Sequence, residues 1–149
     1  MGPTPKTSET AAHLVLHATT IVLAGQAALL RGPSGSGKSS LALQLIALGA
    51  LLVADDRTCL SRRGEGIVAT APETANNRIE ARYVGILKAP STPSAPLALI
   101  VDMAQEEKER LPSLQHETLL GLSIPVIRKT NAPHFPASVA LYLQGERTD

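Results

Sequence analysis

A glycine-rich stretch early in the chain has the residue types and spacing of a phosphate-binding loop. Residues 32–39 read GPSGSGKS and match the pattern G-x-x-x-x-G-K-[ST]. The glycines allow backbone conformations that turn successive amide N–H groups toward a polyphosphate, and the start of a following helix adds partial positive charge. We therefore predict a nucleotide site with these binding residues: Gly32, Pro33, Ser34, Gly35, Ser36, Gly37, Lys38, Ser39 and Ser40.

Carboxylates suited to the same chemistry follow two apolar runs. In this loop pattern the lysine, Lys38, reaches the β- and γ-phosphate oxygens, and a metal-bound triphosphate also needs an acidic strand end opposite the loop. The run ALLVADD supplies Asp55 and Asp56, and LALIVD supplies Asp102. Adjacent carboxylates permit one to hold Mg²⁺ while the other accepts a proton from an attacking hydroxyl. A turn or helix cap is the alternative for the pair, and a structural role is favoured for Asp102.

The elements that must position these residues follow from hydrophobic periodicity. The apolar pattern after the loop predicts a helix buried on most sides, and residues 50–54 predict a buried central strand. Three prolines make residues 88–96 a loop. Mixed strands around a buried helix place the chain in the α/β class. We predict strands at residues 14–16, 20–23, 27–30, 50–54, 58–62, 67–70, 84–87, 97–101 and 123–127, with at least two of the first three antiparallel, and helices at 38–48, 71–74, 113–120 and 136–144.

Composition bounds the remaining possibilities. A chain of 149 residues with 44% hydrophobic and 18% charged residues fits one folded domain, which we assign to residues 13–149 after a disordered tail at residues 1–12. A formal net charge of +1 and 2% aromatic residues disfavour nucleic acid as a partner. No apolar run approaches the roughly 20 residues of a membrane span, and the N-terminus lacks the apolar centre of a signal peptide. We therefore expect a cytoplasmic protein without a membrane partner.

Taken in order, the motifs resemble the HPr kinase/phosphorylase family. The resemblance rests on His17, GPSGSGKSS, LGALLVADD, IEARYVGI at residues 79–86 and SIPV at residues 123–126. It implies a fold like that of phosphoenolpyruvate carboxykinase and a hexameric assembly. It also implies an enzyme that uses ATP and Mg²⁺ to phosphorylate a serine of the phosphocarrier protein HPr. Many members reverse the change with inorganic phosphate and release pyrophosphate.

The resemblance also implies roles for individual residues. Asp55 falls on the acid/base aspartate, with His17 close to it, and Lys38 lies in the phosphate loop. The expected metal-facing residues are Ser39, Asp56 and Glu80, and Arg128 is the candidate that stabilises the transferred phosphoryl group. One position departs from the family pattern E-I-R-G-x-G, because Tyr83 replaces its first glycine.

We expect the chain to correspond to the short form of the family, the catalytic C-terminal domain by itself. The N-terminal domain of longer members is missing from the sequence, and residues 88–96 replace a longer basic stretch that engages the protein substrate. Two alternatives stay open. The chain is a small-molecule kinase of the phosphate-loop class, or a non-catalytic module that senses a nucleotide or phosphate.

Overall fold

The computed structural model describes residues 13–72 and 77–145, and within them it confirms the mixed α/β prediction. The predicted tail and half of the short helix at residues 71–74 lie outside the described residues. The elements are β1 His13–Leu16, β2 Ala18–Leu23, β3 Gln26–Arg31, α1 Lys38–Ala47, β4 Leu51–Ala54, β5 Thr58–Arg63, β6 Gly66–Thr70, β7 Arg78–Ala81, β8 Gly85–Lys88, β9 Ser94–Glu106, β10 Gln115–Leu119, β11 Leu122–Lys129 and α2 Phe135–Gly145.

Strand β9 is the centre of a curled sheet. The sheet has the order β1-β5-β6-β9-β3-β2-β4, and the β10–β11 hairpin joins it because β11 also pairs with β9. The strands β3 and β11 run parallel to β9, whereas β6 pairs antiparallel with its first residues. The antiparallel pairing of β2 and β3 confirms the prediction for this region. Strands β7 and β8 form a separate two-stranded hairpin.

Alternating side chains on the central strands feed two hydrophobic cores. On β3, Ala28 and Leu30 point to the core under the helices, and the neighbouring Ala27 and Leu29 point to the opposite core. Successive side chains of a strand leave opposite faces of the sheet, so a strand with apolar residues at every position must be covered on both faces. The two helices cover one face, and the curled strands β1, β5 and β6 with the β10–β11 hairpin enclose the other.

Both helices pack apolar residues on the sheet. In α1 the buried residues include Leu41, Ala42 and Leu45, and in α2 they include Val139 and Leu143. Spacings of three and four residues place these side chains on one helix face. Over residues 13–72 and 77–145, neither helix has the length and hydropathy needed to span a membrane.

The predicted helix at residues 113–120 is wrong. Residues Gln115–Leu119 form β10, which pairs antiparallel with β11 through a turn at Leu120 and Gly121, both with positive φ. The segment is mostly exposed, and Leu119 is its one buried residue. With so few apolar positions the local pattern carries little signal, and pairing with the edge of β11 decides the structure.

The predicted central position of the strand before Asp55 is also wrong, because β4 is the last strand of the sheet order. Its side chains from Leu52 to Ala54 are nevertheless buried. The outer edge of β4 is covered by the loop that follows β8, since the Leu52 N–H donates to the Pro90 carbonyl and the Thr92 N–H donates to the Leu52 carbonyl. Because this loop covers its outer edge, β4 has the continuous apolar sequence that is typical of a central strand.

Candidate functional site

The glycine-rich loop (residues 32–37) connects the end of β3 to the start of α1. Its first glycine, Gly32, has a φ of 150°, and a Cβ there would lie 2.7 Å from the Ser36 Oγ and 3.1 Å from the Met103 Cβ. The last glycine, Gly37, caps α1 with a φ of 100° and makes no side-chain cap hydrogen bond. A helix start without a side-chain cap leaves amide donors available to an anion.

The side chain of Lys38, the first residue of α1, is enclosed by this loop rather than exposed on the protein surface. Its side chain is only 8% exposed, and its Nζ donates hydrogen bonds to the carbonyl oxygens of Gly32 and Pro33, the latter at 3.2 Å. These carbonyls compensate for the desolvation of a buried ammonium group. The loop therefore folds around its own cation, which faces the same cavity as Ser39.

A cavity of about 730 Å³ lies beside the loop. One wall is formed by the loop and the first turns of α1. The other wall is formed by His17, by the residues after β4 and by the β7–β8 hairpin. The predicted site residues that line it are His17, Ser34, Gly35, Gly37, Lys38, Ser39, Ser40, Asp55, Asp56 and Glu80. The glycine-rich loop, the start of α1, the segments that follow β1 and β4, and the β7–β8 hairpin thus bring together residues that are distant in sequence.

Asp55 is a half-buried carboxylate with one fixed hydrogen bond. Burial raises its pKa above the usual range; the Thr19 Oγ1, which donates to the Asp55 Oδ1 at 3.0 Å, lowers it, and the charges of Asp56 and Glu80 raise it further. A carboxylate whose pKa lies closer to neutrality is a stronger base when it is ionised. Asp55 is therefore suited to accept a proton from a hydroxyl group that enters the cavity.

Asp56 and His17 form an exposed pair at the rim of the cavity. The His17 Nε2 lies 3.1 Å from the Asp56 Oδ1, and both side chains are more than half exposed. The sequence predicted His17 close to the acid/base aspartate, Asp55, but the partner that it contacts is the neighbouring carboxylate. Asp56 has a φ of 70°, in the left-handed region that aspartate adopts more readily than most residues.

Glu80 reaches the cavity because the β7–β8 hairpin is anchored on α1. Ile79 is 1% exposed in the helix-side core, and strand alternation then turns Glu80 outward. At the tip of the hairpin, Tyr83 has a φ of 72° and is 97% exposed. The tyrosine that replaces the family's glycine thus adopts a left-handed conformation of the kind that glycine favours, so the substitution has not prevented the turn.

The predicted metal-facing residues supply hydroxyl and carboxylate oxygens, which suit Mg²⁺. Within residues 13–72 and 77–145, no three His, Cys, Asp or Glu side chains converge closely enough to hold a metal by themselves. Magnesium usually keeps several waters and binds through one or two carboxylates together with substrate phosphates. Ser39, Asp56 and Glu80, which line one cavity, fit that mode of binding.

Arg128 is not among the residues that line this cavity. It lies on β11 in register with Asp102 of β9 and is exposed. Asp102 lies within β9 rather than at its end; its Oδ1 accepts the Ala104 N–H, and its Oδ2 is 3.6 Å from Arg31. The predicted part of Arg128 in phosphoryl transfer stays a prediction.

Thr19 is a cavity residue that sequence reasoning missed. It lies on β2 and is 1% exposed. Its Oγ1 donates a hydrogen bond to Asp55 and accepts one from the Asp56 N–H at 3.4 Å. A threonine in an apolar strand is common, and only the pairing of β2 with β4 brings this one to the aspartates. No sequence signal distinguishes it from its neighbour Thr20.

Comparison with known proteins matches this arrangement to one family. Residues 8–128 match the family model described as HPr Serine kinase C-terminal domain. The HPr kinase/phosphorylase of Bordetella pertussis is 37% identical over 123 residues, covering 74% of this chain and 40% of the relative. The enzyme of the same name from Caldicellulosiruptor bescii is 40% identical over 82 residues, covering 54% of this chain and 26% of the relative.

The chain thus spans between about a quarter and two fifths of the length of these curated relatives. The solved structure of the Hpr(Ser) kinase/phosphatase from Coxiella burnetii has the same fold, with a TM-score of 0.74 at 24% identity, covering 89% of this chain and 90% of that chain. Because the family model matches most of the chain, we conclude that the chain belongs to the HPr serine kinase C-terminal domain family.

Proposed function

We propose that this chain transfers the γ-phosphoryl group of ATP to a serine hydroxyl of the phosphocarrier protein HPr. The observation that carries the proposal is one cavity in which the glycine-rich loop and Lys38 face a carboxylate, Asp55, of raised pKa. Membership of the family supports the same reaction, and the names of the curated relatives supply HPr as the acceptor.

In this proposal the chain positions the reactants and moves one proton. The loop amides and Lys38 hold the phosphates, while Asp55 takes the proton of the serine hydroxyl. The bond between the serine oxygen and the γ-phosphorus forms as the bond from that phosphorus to the β–γ bridging oxygen breaks, and ADP leaves. When Mg²⁺ is bound with the nucleotide, held by Ser39, Asp56 and Glu80, it supplies neutralisation of phosphate charge.

The reverse reaction uses the same groups. An oxygen of inorganic phosphate attacks the phosphorus of phosphoserine, the bond to the serine oxygen breaks and pyrophosphate leaves. Asp55, which is protonated at the start of this reaction, gives its proton to the serine oxygen as that bond breaks. We include this phosphorolysis in the proposal because forward and reverse transfer need the same carboxylate in its two protonation states.

Several finer expectations stay predictions: the likeness to phosphoenolpyruvate carboxykinase, the hexamer, a cytoplasmic location, and the lack of nucleic-acid or membrane partners. The β7–β8 hairpin exposes apolar side chains at Tyr83, Val84 and Ile86, which is typical of a surface that meets another protein. Light scattering of the purified chain would measure the number of subunits.

The test of the proposal is incubation with ATP, Mg²⁺ and HPr of the same organism, followed by intact-protein mass spectrometry of HPr. We expect one added phosphate, and none with Lys38→Ala, because that variant lacks the buried cation of the loop. Transfer to a small acceptor but not to HPr would replace the proposal with a small-molecule kinase. Binding of ATP without any transfer would replace it with a sensor module.

A further inference from the structure

A second cavity lies on the other side of the glycine-rich loop. It has a volume of about 330 Å³, within the range of small-molecule pockets, and is lined by residues of the loop, α1, β9 and the segment that leads from β11 into α2. The Lys129 Nζ, at the start of that segment, donates to the Ser36 carbonyl at 3.3 Å. This contact ties the second cavity to the back of the loop.

The two cavities meet at the first turn of α1, because Gly37 and Ser40 line both of them. A triphosphate held by the loop with its last phosphate toward Asp55 must direct its other end away from the acceptor. The shared residues place the second cavity next to the phosphate-binding surface, where that other end can lie. A third cavity, of about 410 Å³ at Asn77, Arg78, Ile86 and Lys88, contains no residue of the loop.

The lining of the second cavity differs from that of the first. Its apolar part includes Leu41, Met103 and Phe135, and the amide side chains of Gln44 and Asn131 lie among its polar residues. No carboxylate is found among its described lining residues, whereas the first cavity contains Asp55, Asp56 and Glu80. Apolar surface with a few amide groups suits a nucleobase, which combines flat apolar faces with edges that donate and accept hydrogen bonds.

We propose that this second cavity is the nucleoside subsite, which receives the base and ribose of the nucleotide whose phosphates lie on the glycine-rich loop. The assignment rests on the proposed function, because it takes the loop to bind a nucleoside triphosphate. It divides binding into two parts: the loop holds the phosphates of any polyphosphate, and the second cavity discriminates a nucleotide from inorganic polyphosphate.

The test compares ATP with inorganic tripolyphosphate, both with Mg²⁺, by isothermal titration calorimetry. Asn131→Trp fills the cavity from the exposed loop, and Gln44→Trp fills it from α1. Ala137→Trp adds the same ring to an exposed position of α2 that lines neither cavity and serves as the matched control. We expect both filling variants to weaken ATP about tenfold or more while tripolyphosphate binds as it does to the wild type.

Each other outcome decides against the subsite. Unchanged ATP affinity in both filling variants would place the nucleoside in the first cavity, beside Leu43 and Tyr83. Equal weakening of ATP and tripolyphosphate would show damage to the loop instead of a blocked subsite. If the wild type binds neither ligand, the proposed function fails as well, and this result separates the two failures.

Discussion

At the scale of single residues, Asp55 is subject to opposing influences. Burial and two neighbouring carboxylates favour its protonated form, and the hydrogen bond from Thr19 favours its ionised form. Burial and the neighbouring carboxylates make Asp55 a stronger base, and the hydrogen bond from Thr19 fixes the orientation of its carboxylate. The raised pKa should lower the stability of the folded protein at high pH, and the Thr19 hydrogen bond should set the pH range of activity. Variants can measure both effects.

The Asp55→Asn variant should lose activity and gain stability. A folded-state pKa raised above the unfolded value means that the contribution of Asp55 to stability is present at low pH and is lost as the pH rises through the folded pKa. Asparagine carries no charge and avoids that loss. We therefore expect the variant to have a higher Tm than the wild type at pH 8, and a smaller increase in Tm at acidic pH. Turnover should fall roughly 10²–10⁴-fold, the range for a general base.

Calorimetry at several pH values and an HPr phosphorylation assay measure these two effects. Asp56→Asn is the matched control. Asp56 is exposed and paired with His17, so its removal should give a much smaller gain, limited to relief of its repulsion of Asp55. A Tm for Asp55→Asn at or below the wild-type value at pH 8 would contradict the burial argument.

Thr19→Val should shift the pH dependence of the reaction. Valine keeps the shape of the side chain but cannot donate to Asp55, so the pKa of Asp55 rises. The acidic limb of the kcat/KM profile then moves to higher pH. Thr19→Ser should restore the wild-type profile, because it returns the hydroxyl donor. A profile that stays in place with valine would mean that Thr19 acts through packing alone.

At the scale of elements, an ion pair fixes the β10–β11 hairpin to the strand that leads into the glycine-rich loop. The guanidinium of Arg31 donates to both carboxylate oxygens of Glu117, at 2.5 and 2.6 Å, and lies beside Asp102. Bidentate pairs of this kind have defined geometry and are stronger than single contacts. Arg31 is the last residue of β3, so the pair holds the strand end from which the glycine-rich loop begins.

A double-mutant cycle with Arg31→Gln and Glu117→Gln should reveal this pair. Each single variant leaves a half-buried charge without its main partner, and the double variant removes both charges. We expect the effects on the free energy of unfolding to be non-additive by about 1 kcal/mol or more. Urea denaturation measures the four proteins, and additive effects would show that the contact contributes nothing to stability.

Local sequence patterns predicted most elements but not their places in the sheet. The loop spacing and the apolar runs around it gave β2, β3 and α1 to within a few residues. The same patterns predicted a helix where β10 lies, because this exposed strand has few apolar residues to mark it. They predicted a central position for β4, because cover by a loop leaves no local mark in the sequence. The aspartates after β4 were recognised from motif order, whereas Thr19 depends on strand pairing.

At the scale of the whole molecule, β9 should be the most protected element against hydrogen exchange. Residues Leu99, Ile100 and Val101 are fully buried, and β9 is hydrogen-bonded to β3, β6 and β11. Amides in such a strand open only with global unfolding. Hydrogen exchange followed by mass spectrometry should show that these amides exchange last and that the amides of the exposed β8 exchange early. Equal exchange rates in the two strands would contradict this order.

The position of Met103 has a consequence for synthesis. The loop glycines pack against this residue, with Met103 Cβ and Cε 3.1 and 3.4 Å from where Cβ atoms on Gly32 and Gly37 would lie. A growing chain that has just completed the loop still lacks the strand on which the loop rests. Residues are added one at a time, N-terminus first, at roughly 5–20 per second. The nascent chain must therefore spend seconds on the ribosome before its nucleotide site can close.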